Sequence, residues 1–362
     1  MITGNKGEWS ELYVLLKLLA DGKLYSADAD LRRLPDVWSP LLRIFRKEIE
    51  SESMEYRLNS QRHTIELYIN GDKIKSVDSE WLKEAAETIY NGILSGGQAA
   101  FPISGSDVIM NRMNCTKIKA KSSDKTDISM QIRDTFTGHD RICGFSIKSD
   151  LGKAPSLLNA SKQTNFVYEI KGLDESFVDM INSINTGNKI IDRIARIKEL
   201  GGSFSFVKMD SETFRNNVRY IDSFMDVILG RLLLPYYEEG MSRLTDAVTK
   251  IEEEDPLGFE CSGIYRYKVK KFLSAIALGM VPSKQWDGRD EANGGYIIVK
   301  SDGNIVAYHL YNRDSFETYL LNNTRFERGD TARHNFASLY KEVQENGENR
   351  ILINFNLQIR FK

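Results

Sequence analysis

The first apolar pattern of the chain is that of an amphipathic helix. Leu12, Leu15, Leu16 and Leu19 recur at intervals of three and four within residues 6–20. Because an α-helix has 3.6 residues per turn, these side chains form one stripe. The spacing predicts a helix over 6–20 that packs this stripe against the rest of the protein.

Strand and helix patterns then alternate along the chain. Period-two alternation and turn signals predict strands at 54–60, 64–69, 127–133, 142–149, 166–170, 203–208, 296–300, 304–311 and 351–360. Helical spacing predicts helices at 79–94, 174–185, 188–199, over most of 211–253, and at 265–279 and 314–322. This mixture predicts an α/β fold of the mixed α+β kind.

A charge run followed by a helix breaker, Glu252-Glu253-Glu254-Asp255-Pro256, predicts a domain boundary. We expect a core domain over 1–255, with an inserted hairpin at about 54–75, and a C-terminal α+β region over 256–362.

Composition is that of an ordinary globular protein. The chain has 362 residues, of which 41% are hydrophobic and 28% charged. The longest nearly apolar stretch, 272–281, is too short for a membrane helix, which needs about 20 residues. Three cysteines and a start without a signal-peptide pattern lead us to expect a cytoplasmic protein without membrane contact. No P-loop, dinucleotide-binding or nucleophile-elbow motif occurs.

Charge gives a mixed indication for nucleic-acid binding. The 49 Lys and Arg against 51 Asp and Glu leave a net charge of −2, whereas DNA-binding domains are usually basic. The segment 111–126 is locally basic, and the alternative to phosphate contact is a solvated loop. Its five basic residues are Arg112, Lys117, Lys119, Lys121 and Lys125.

The pair of strands at 127–133 and 142–149 carries the candidate chemistry. Apolar-to-apolar pairing predicts a register in which 132 faces 143, 130 faces 145, 128 faces 147 and 127 faces 148. In that register Asp127 and Lys148 are cross-strand neighbours with Cβ atoms on the order of 5 Å apart. Ser146 lies beside them on the same face.

An acid and a lysine on neighbouring strands suit phosphodiester hydrolysis assisted by Mg²⁺. Asp127 would hold the metal ion, and Lys148 would orient the attacking water and stabilise negative charge. The alternative is a surface salt bridge across the hairpin.

Asp127…Ser146-x-Lys148 resembles the Asp…(Asp/Glu)-x-Lys motif of the restriction-endonuclease-like nucleases. An ordered set of blocks, from residue 5 to 360, is more narrowly similar to the HpaII family of Type II restriction endonucleases. These blocks are Asn5-Lys-Gly-Glu-Trp-Ser-Glu11, Asp124-Lys-Thr-Asp127-Ile, Gly144-Phe-Ser-Ile-Lys-Ser149, Leu151-Gly152, Leu157-Leu-Asn-Ala-Ser161, Thr164-Asn-Phe166, Gly294-Gly-Tyr-Ile-Ile-Val299, Tyr308-His-Leu-Tyr311, Tyr319-Leu-Leu-Asn-Asn-Thr324 and Asn354-Phe-Asn-Leu-Gln-Ile-Arg360.

The resemblance implies a restriction-endonuclease-like core, with a mixed central sheet flanked by helices and additional α+β recognition elements. It also implies Mg²⁺-dependent cleavage of double-stranded DNA at CCGG and a cytosine methyltransferase that protects the same sites. The catalytic residues of the family map to Asp127 and Lys148. A palindromic site suggests a homodimer.

The second carboxylate of the motif is Ser146 here, so we expect an acid from elsewhere. Glu8 and Glu11 on the first helix are the candidates, and Asp150 and Glu169 are lesser ones. Glu8 lies about 30° and Glu11 about 90° from the centre of the apolar stripe. Glu8 also fits a helix-capping pattern with Asn5. The sequence leaves this choice open.

Two further segments are candidates for DNA contact. One is a small polar run that includes Asn159, Ser161, Thr164 and Asn165, for backbone phosphates. The other is 322–334, whose Arg325, Arg328 and Arg333 would suit guanine recognition. The alternatives to a site-specific endonuclease are a structure-selective or repair nuclease of the same superfamily and an inactive sequence-specific DNA-binding protein.

Overall fold

The computed structural model describes residues 2–49, 52–119, 126–134, 138–309, 313–344 and 347–362. The α-helices of this part of the chain are α1 (Lys6–Asp21), α2 (Ser79–Ser95), α3 (Ser106–Met113), α4 (Val178–Asn182), α5 (Lys189–Glu199), α6 (Glu212–Ile221), α7 (Met225–Glu239), α8 (Leu244–Glu254), α9 (Ile264–Leu278), α10 (Arg313–Asn322) and α11 (Thr331–His334). None of the described helices is long and apolar enough to cross a membrane.

The strands are β1 (Lys23–Ala27), β2 (Arg33–Ile49), β3 (Glu52–Asn59), β4 (Thr64–Ile69), β5 (Asp72–Asp78), β6 (Ile128–Arg133), β7 (Asp140–Ser149), β8 (Ser156–Leu158), β9 (Asn165–Lys171), β10 (Ser203–Met209), β11 (Gly295–Val299), β12 (Ile305–His309), β13 (Thr324–Phe326), β14 (Leu339–Val343), β15 (Asn349–Asn356) and β16 (Ile359–Phe361). The mixed α+β class is confirmed.

Two compact units make up the chain, and neither is continuous in sequence. The first comprises 1–155 and 290–319, and the second comprises 156–289 and 320–362. This division does not coincide with the boundary predicted after residue 255. The reason is that the β11–β12 hairpin pairs with β7 of the first unit, which draws a late segment into the early one.

A nine-stranded mixed sheet dominates the first unit, in the order β1-β12-β11-β7-β6-β2-β3-β4-β5. Only β1–β12 and β11–β7 among these described pairs are parallel. The 17-residue β2 has no counterpart among the predicted elements. Its first half carries Pro35 and Pro40 and pairs with β1, and its second half pairs with β6 and β3. Proline weakens a strand pattern, although it is tolerated where one side is unpaired.

The first helix packs its apolar stripe into the core of this unit, as predicted. Leu12, Leu15 and Leu16 are fully buried among side chains of the sheet and of α2. Asn5 caps the start, and Gly22 ends the helix in the left-handed conformation at φ 65°. The position and direction of α1 are therefore set by both capping and burial.

The β6–β7 register differs from the prediction by two residues. Ile128 faces Phe145, Met130 faces Cys143 and Ile132 faces Arg141. A two-residue shift keeps the same side chains on the same face, so the apolar pattern excludes odd shifts but not this one. Asp127 and Lys148 are consequently not direct cross-strand partners, and this correction changes how the site is assembled.

The second unit contains a four-stranded sheet, β10-β9-β15-β14, and a three-stranded sheet, β13-β16-β8. The predicted strand at 351–360 is interrupted after Asn356 and continues in the other sheet from Ile359. The helical region predicted over 211–253 is present as α6, α7 and α8.

Candidate functional site

A cavity of about 620 Å³ lies in the first unit, between the start of α1 and the end of β7. It is mostly polar and brings together residues that are more than 100 positions apart in sequence. The lining residues are Asn5, Lys6, Gly7, Glu8, Glu11, Gly97, Gln98, Lys119, Asp127, Ile147, Lys148, Ser149, Leu151, Gly152, Lys153 and Pro155. The predicted Asp127 and Lys148 therefore share one cavity with both candidate glutamates.

Asp127 precedes β6 and is held by β7 through main-chain and side-chain hydrogen bonds. Its N–H donates to the Phe145 carbonyl at 2.9 Å. Its Oδ2 accepts from the Ile147 N–H at 2.6 Å and from the Ser146 Oγ at 3.1 Å. Hydrogen bonds to a carboxylate favour its charged form and fix its orientation. Ser146 stands where the motif usually has its second acid. Its hydroxyl donates a hydrogen bond to the remaining acid, Asp127.

Lys148 projects from the same strand face as Ser146, two residues further along β7. Its Nζ lies 5.5 Å from the ring centroid of Tyr296, which is a cation–π distance. Tyr296, on β11, is the register partner of Ser146 and is 2% exposed. Burial, and then the charge of Asp127, raise the pKa of the Tyr296 hydroxyl well above its ordinary value.

Tyr296 is a site residue that the sequence analysis does not assign. It appears there only as part of the Gly294-Gly-Tyr block, without any chemistry attached to it. The signal that identifies it is its place on a neighbouring parallel strand, which no local pattern reveals.

Glu8 completes a capping box with Asn5, which is the alternative that the sequence analysis gave to a role as metal ligand. Its amide donates to Asn5 Oδ1 at 3.1 Å, and its Oε2 accepts from the Asn5 N–H at 2.9 Å. The other oxygen is paired with Lys119 Nζ. Burial opposes ionisation, but the hydrogen bonds from Lys119 and Asn5 outweigh it and hold the pKa of Glu8 below its ordinary value.

Glu11 lies on the same side of α1 as Glu8, one turn closer to the helix C-terminus. It lines the cavity and is half-buried. The bond to Glu8 is the main cause that raises the pKa of Lys119, and the negative charge of Glu11 raises it further. The helix is held beside β7 by Ser10, whose Oγ is 2.8 Å from that of Ser149. The structure therefore places both glutamates at the cavity and gives Glu8 a structural partner for each oxygen.

The lesser candidates are placed elsewhere. Asp150 follows β7 but does not line the cavity, and Glu169 belongs to β9 in the second unit.

Oxygen ligands for a divalent cation are available in this cavity. Mg²⁺ prefers oxygen, retains several waters and is commonly held by one or two carboxylates. Asp127 and Glu11 fit that requirement. Within the described ranges no group of three or more His, Cys, Asp and Glu side chains is gathered for a metal ion.

The three described basic residues of 111–126 lie in different surroundings. Arg112, on α3, is exposed with its guanidinium 4.2 Å from the Trp81 ring centroid. Lys117 is exposed, and Lys119 enters the cavity. Lys121 and Lys125 lie outside the described residues.

The polar run before β9 is largely turned inward. Thr164 and Asn165 are 0% and 2% exposed. The Asn356 amide donates to Thr164 Oγ1 at 3.1 Å, to Asn165 Oδ1 at 2.7 Å and to the Ser161 carbonyl at 2.7 Å. This network places Thr164 and Asn165 in the interior, where neither side chain faces solvent, whereas Asn159 is exposed.

The predicted recognition arginines all belong to the second unit. Arg325 lies on β13, and Arg328 lies with its guanidinium 5.9 Å from the Tyr236 ring centroid. Arg333 is exposed on α11.

Comparison with known proteins identifies the family of the chain. A profile of the HpaII restriction endonuclease family matches residues 5–361. The Type II restriction enzyme HpaII of Haemophilus parainfluenzae is 39% identical over 362 residues, which cover 99% of this chain and 98% of the relative. No solved structure matches the chain. With the family profile and this relative both spanning nearly its full length, the chain belongs to the HpaII restriction endonuclease family, whose members are Type II restriction enzymes.

Proposed function

We propose that the protein cleaves double-stranded DNA at CCGG in a reaction that depends on Mg²⁺. The observation that carries the proposal is the cavity in which Asp127, Glu11 and Lys148 converge, with the Asp127 carboxylate fixed by two hydrogen bonds. The CCGG site rests on the resemblance to the HpaII family, and the family assignment supports the substrate class.

Asp127 and Glu11 would hold the metal ion. When bound, Mg²⁺ would neutralise negative charge at the scissile phosphate and would lower the pKa of a coordinated water. Ser146 and the Ile147 N–H keep the Asp127 carboxylate in one orientation for this task. Two carboxylates satisfy the cation, since Mg²⁺ accepts waters and phosphate oxygens for its remaining positions.

Lys148 is one of the lysines that line the cavity with Asp127. Its ammonium would orient the attacking water and stabilise the negative charge that develops on the phosphorus oxygens. The Tyr296 ring keeps that ammonium at the cavity wall. Lys119 remains paired with Glu8 and adds a second cation for a bound phosphate.

We also propose the biological setting that the family resemblance implies. A cytosine methyltransferase would protect the host copies of the site in the cytoplasm. A palindromic site would be served by a homodimer that offers one cavity to each strand.

Plasmid cleavage tests the proposal most directly. Unmethylated plasmid is incubated with the protein and Mg²⁺, and the fragment ends are sequenced; a Lys148→Ala preparation controls for contaminating nuclease. We expect ends at CCGG alone and none in EDTA. Scattered ends would favour a structure-selective or repair nuclease. DNA binding without any cuts would favour the inactive binding protein, for which the serine at position 146 is the motivating observation.

A further inference from the structure

Three arginines of the second unit are aligned across neighbouring segments. Arg325 on β13 is the antiparallel register partner of Arg360 on β16. Arg243, at the start of α8, forms an isolated antiparallel bridge with Arg325. The Phe326 N–H donates to the Ser242 carbonyl at 2.8 Å, which holds the 242–243 segment beside β13. Opposite residues in an antiparallel pair project to the same face, so the arginines form one row.

This row is unfavourable for the free protein. Like charges directly opposite each other on a sheet are destabilising. The Nε of Arg325 is buried and has no hydrogen-bond partner among the described residues. An unpaired buried donor adds a desolvation cost. The repulsion is relieved by a ligand that supplies negative charge and hydrogen-bond acceptors to the row.

The neighbouring charges leave the row strongly positive. Glu327 pairs with Arg360, with Nε and Oε2 at 2.6 Å, and both side chains are about 30% exposed. Arg328 and Lys362 add positive charge nearby. The Lys362 N–H donates to the Asn323 carbonyl at 2.9 Å, which places that residue beside the start of β13. Burial, and then the charge of Arg243, lower the pKa of Lys362, whereas the charge of Asp246 raises it, so one acid also contributes to the field here. For a chain of net charge −2, this is a marked local concentration.

We propose that Arg243, Arg325 and Arg360 form a DNA-contacting row in the second unit. The ligand would be DNA, which the arginines would bind through its hydrogen-bond acceptors. These acceptors are either phosphate oxygens or the O6 and N7 of guanine, and each pair matches the planar guanidinium group. The proposal rests on DNA being the substrate, as proposed above. It adds Arg243 and Arg360, which no sequence pattern joined to Arg325.

Fluorescence anisotropy with two labelled duplexes tests the row. One 24-bp duplex contains a single CCGG, and the other has the same composition without it; both are titrated in Ca²⁺ at several salt concentrations. The variants are Arg243→Gln, Arg325→Met and Arg360→Gln. Arg196→Gln is the control, because Arg196 is an arginine of the same unit whose 2.9 Å partner is Glu199 on its own helix.

We expect each row variant to weaken binding about tenfold and the control to bind within twofold of wild type. Equal loss on both duplexes, with a lower salt slope, identifies phosphate contacts. Loss confined to the CCGG duplex identifies guanine recognition. Wild-type affinity for both duplexes in all three variants overturns the proposal.

Folding is checked separately by thermal unfolding without DNA. Arg325→Met should unfold at no lower temperature than wild type, because it removes a repulsion and a buried donor. If Arg360→Gln fails to fold, the DNA affinities of Arg243→Gln and Arg325→Met decide the outcome. Arg243 is exposed, so its replacement should not disturb folding. A wild-type chain that binds DNA without cutting it overturns the cleavage proposal and leaves this one standing. A wild-type chain that binds neither duplex overturns both.

Discussion

The Ser146 hydroxyl donates to the Asp127 carboxylate at 3.1 Å. A serine in the place of the usual second acid thus orients the remaining acid. The same Oδ2 accepts the Ile147 N–H at 2.6 Å, so two consecutive residues of β7 hold one oxygen. Ser146, which departs from the motif that the sequence resembles, therefore contacts the Asp127 carboxylate, and we expect it to position that acid.

Replacing Ser146 should impair this orientation without abolishing it. In Ser146→Ala the Ile147 N–H still holds Asp127, so we expect single-turnover cleavage to fall about tenfold, which is the order expected for one hydrogen bond to a charged group. Duplex affinity in Ca²⁺ should remain close to wild type. Ser203→Ala, at an exposed strand start in the second unit, is the control. Unchanged cleavage in Ser146→Ala would remove this role.

Lys148→Ala should lower cleavage at least about 100-fold, since it removes the cation that orients water and stabilises the transition state. DNA binding should persist, because Lys148 would be only one of several basic groups that contact the DNA. Lys17→Ala is a matched control: Lys17 is on α1 and pairs with Asp21 at 2.9 Å. Near-normal single-turnover rates in Lys148→Ala would exclude the lysine from the chemistry.

The two glutamates of α1 should behave oppositely in cleavage. Glu11→Gln removes a proposed metal ligand, so cleavage should fall and should be partly restored by raising the Mg²⁺ concentration. Glu8→Gln should retain most activity, because both oxygens of Glu8 already serve Asn5 and Lys119. Titrating Mg²⁺ against initial rate for the two variants makes the comparison. The reverse ranking would assign the second acid to Glu8.

The pH dependence of stability should report Glu8. A carboxyl whose folded-state pKa is lowered stabilises the protein above its unfolded pKa, and this contribution is lost as pH falls through the lowered value. Wild type should therefore exceed Glu8→Gln in free energy of unfolding at pH 7, because a glutamine can keep the hydrogen bond of the capping box but loses the charge that pairs with Lys119. Urea titrations at pH 7 and below pH 4 compare the two conditions, and the difference between the two proteins should be smaller in acid. A difference that persists unchanged in acid would contradict this charge-dependent contribution.

Asn165 should matter for folding rather than for phosphate binding. Its amide donates to the His334 carbonyl at 3.0 Å and accepts from Asn356 at 2.7 Å. Asn165→Ala removes both of these hydrogen bonds from a largely buried network, so we expect a loss of about 1–3 kcal/mol in free energy of unfolding. The salt slope of DNA binding should not change. Asn159→Ala, at an exposed position of the same segment, should keep wild-type stability.

Local pattern was sufficient for most elements and insufficient for the site. Helix α1 was predictable because burial on one face imposes a period on the sequence. The strands β11 and β12 were predictable because they are short apolar runs on either side of a turn signal. Strand β2 was not predictable from local pattern, because its two prolines interrupt the alternation. In addition, its first half pairs with β1 and its second half with β6, and such pairing depends on strands far away in sequence.

By itself the sequence determined which residues are candidates for the chemistry and which face of each strand they occupy, because side chains alternate with a period of two. Only the tertiary structure decided the register, since a two-residue shift preserves every face and is chosen by hydrogen bonds such as that from the Asp127 N–H to the Phe145 carbonyl. It also decided that both glutamates of α1 line the cavity and that Glu8 there caps the helix and pairs with Lys119. Such contacts join segments more than 100 residues apart, and chain spacing does not encode them.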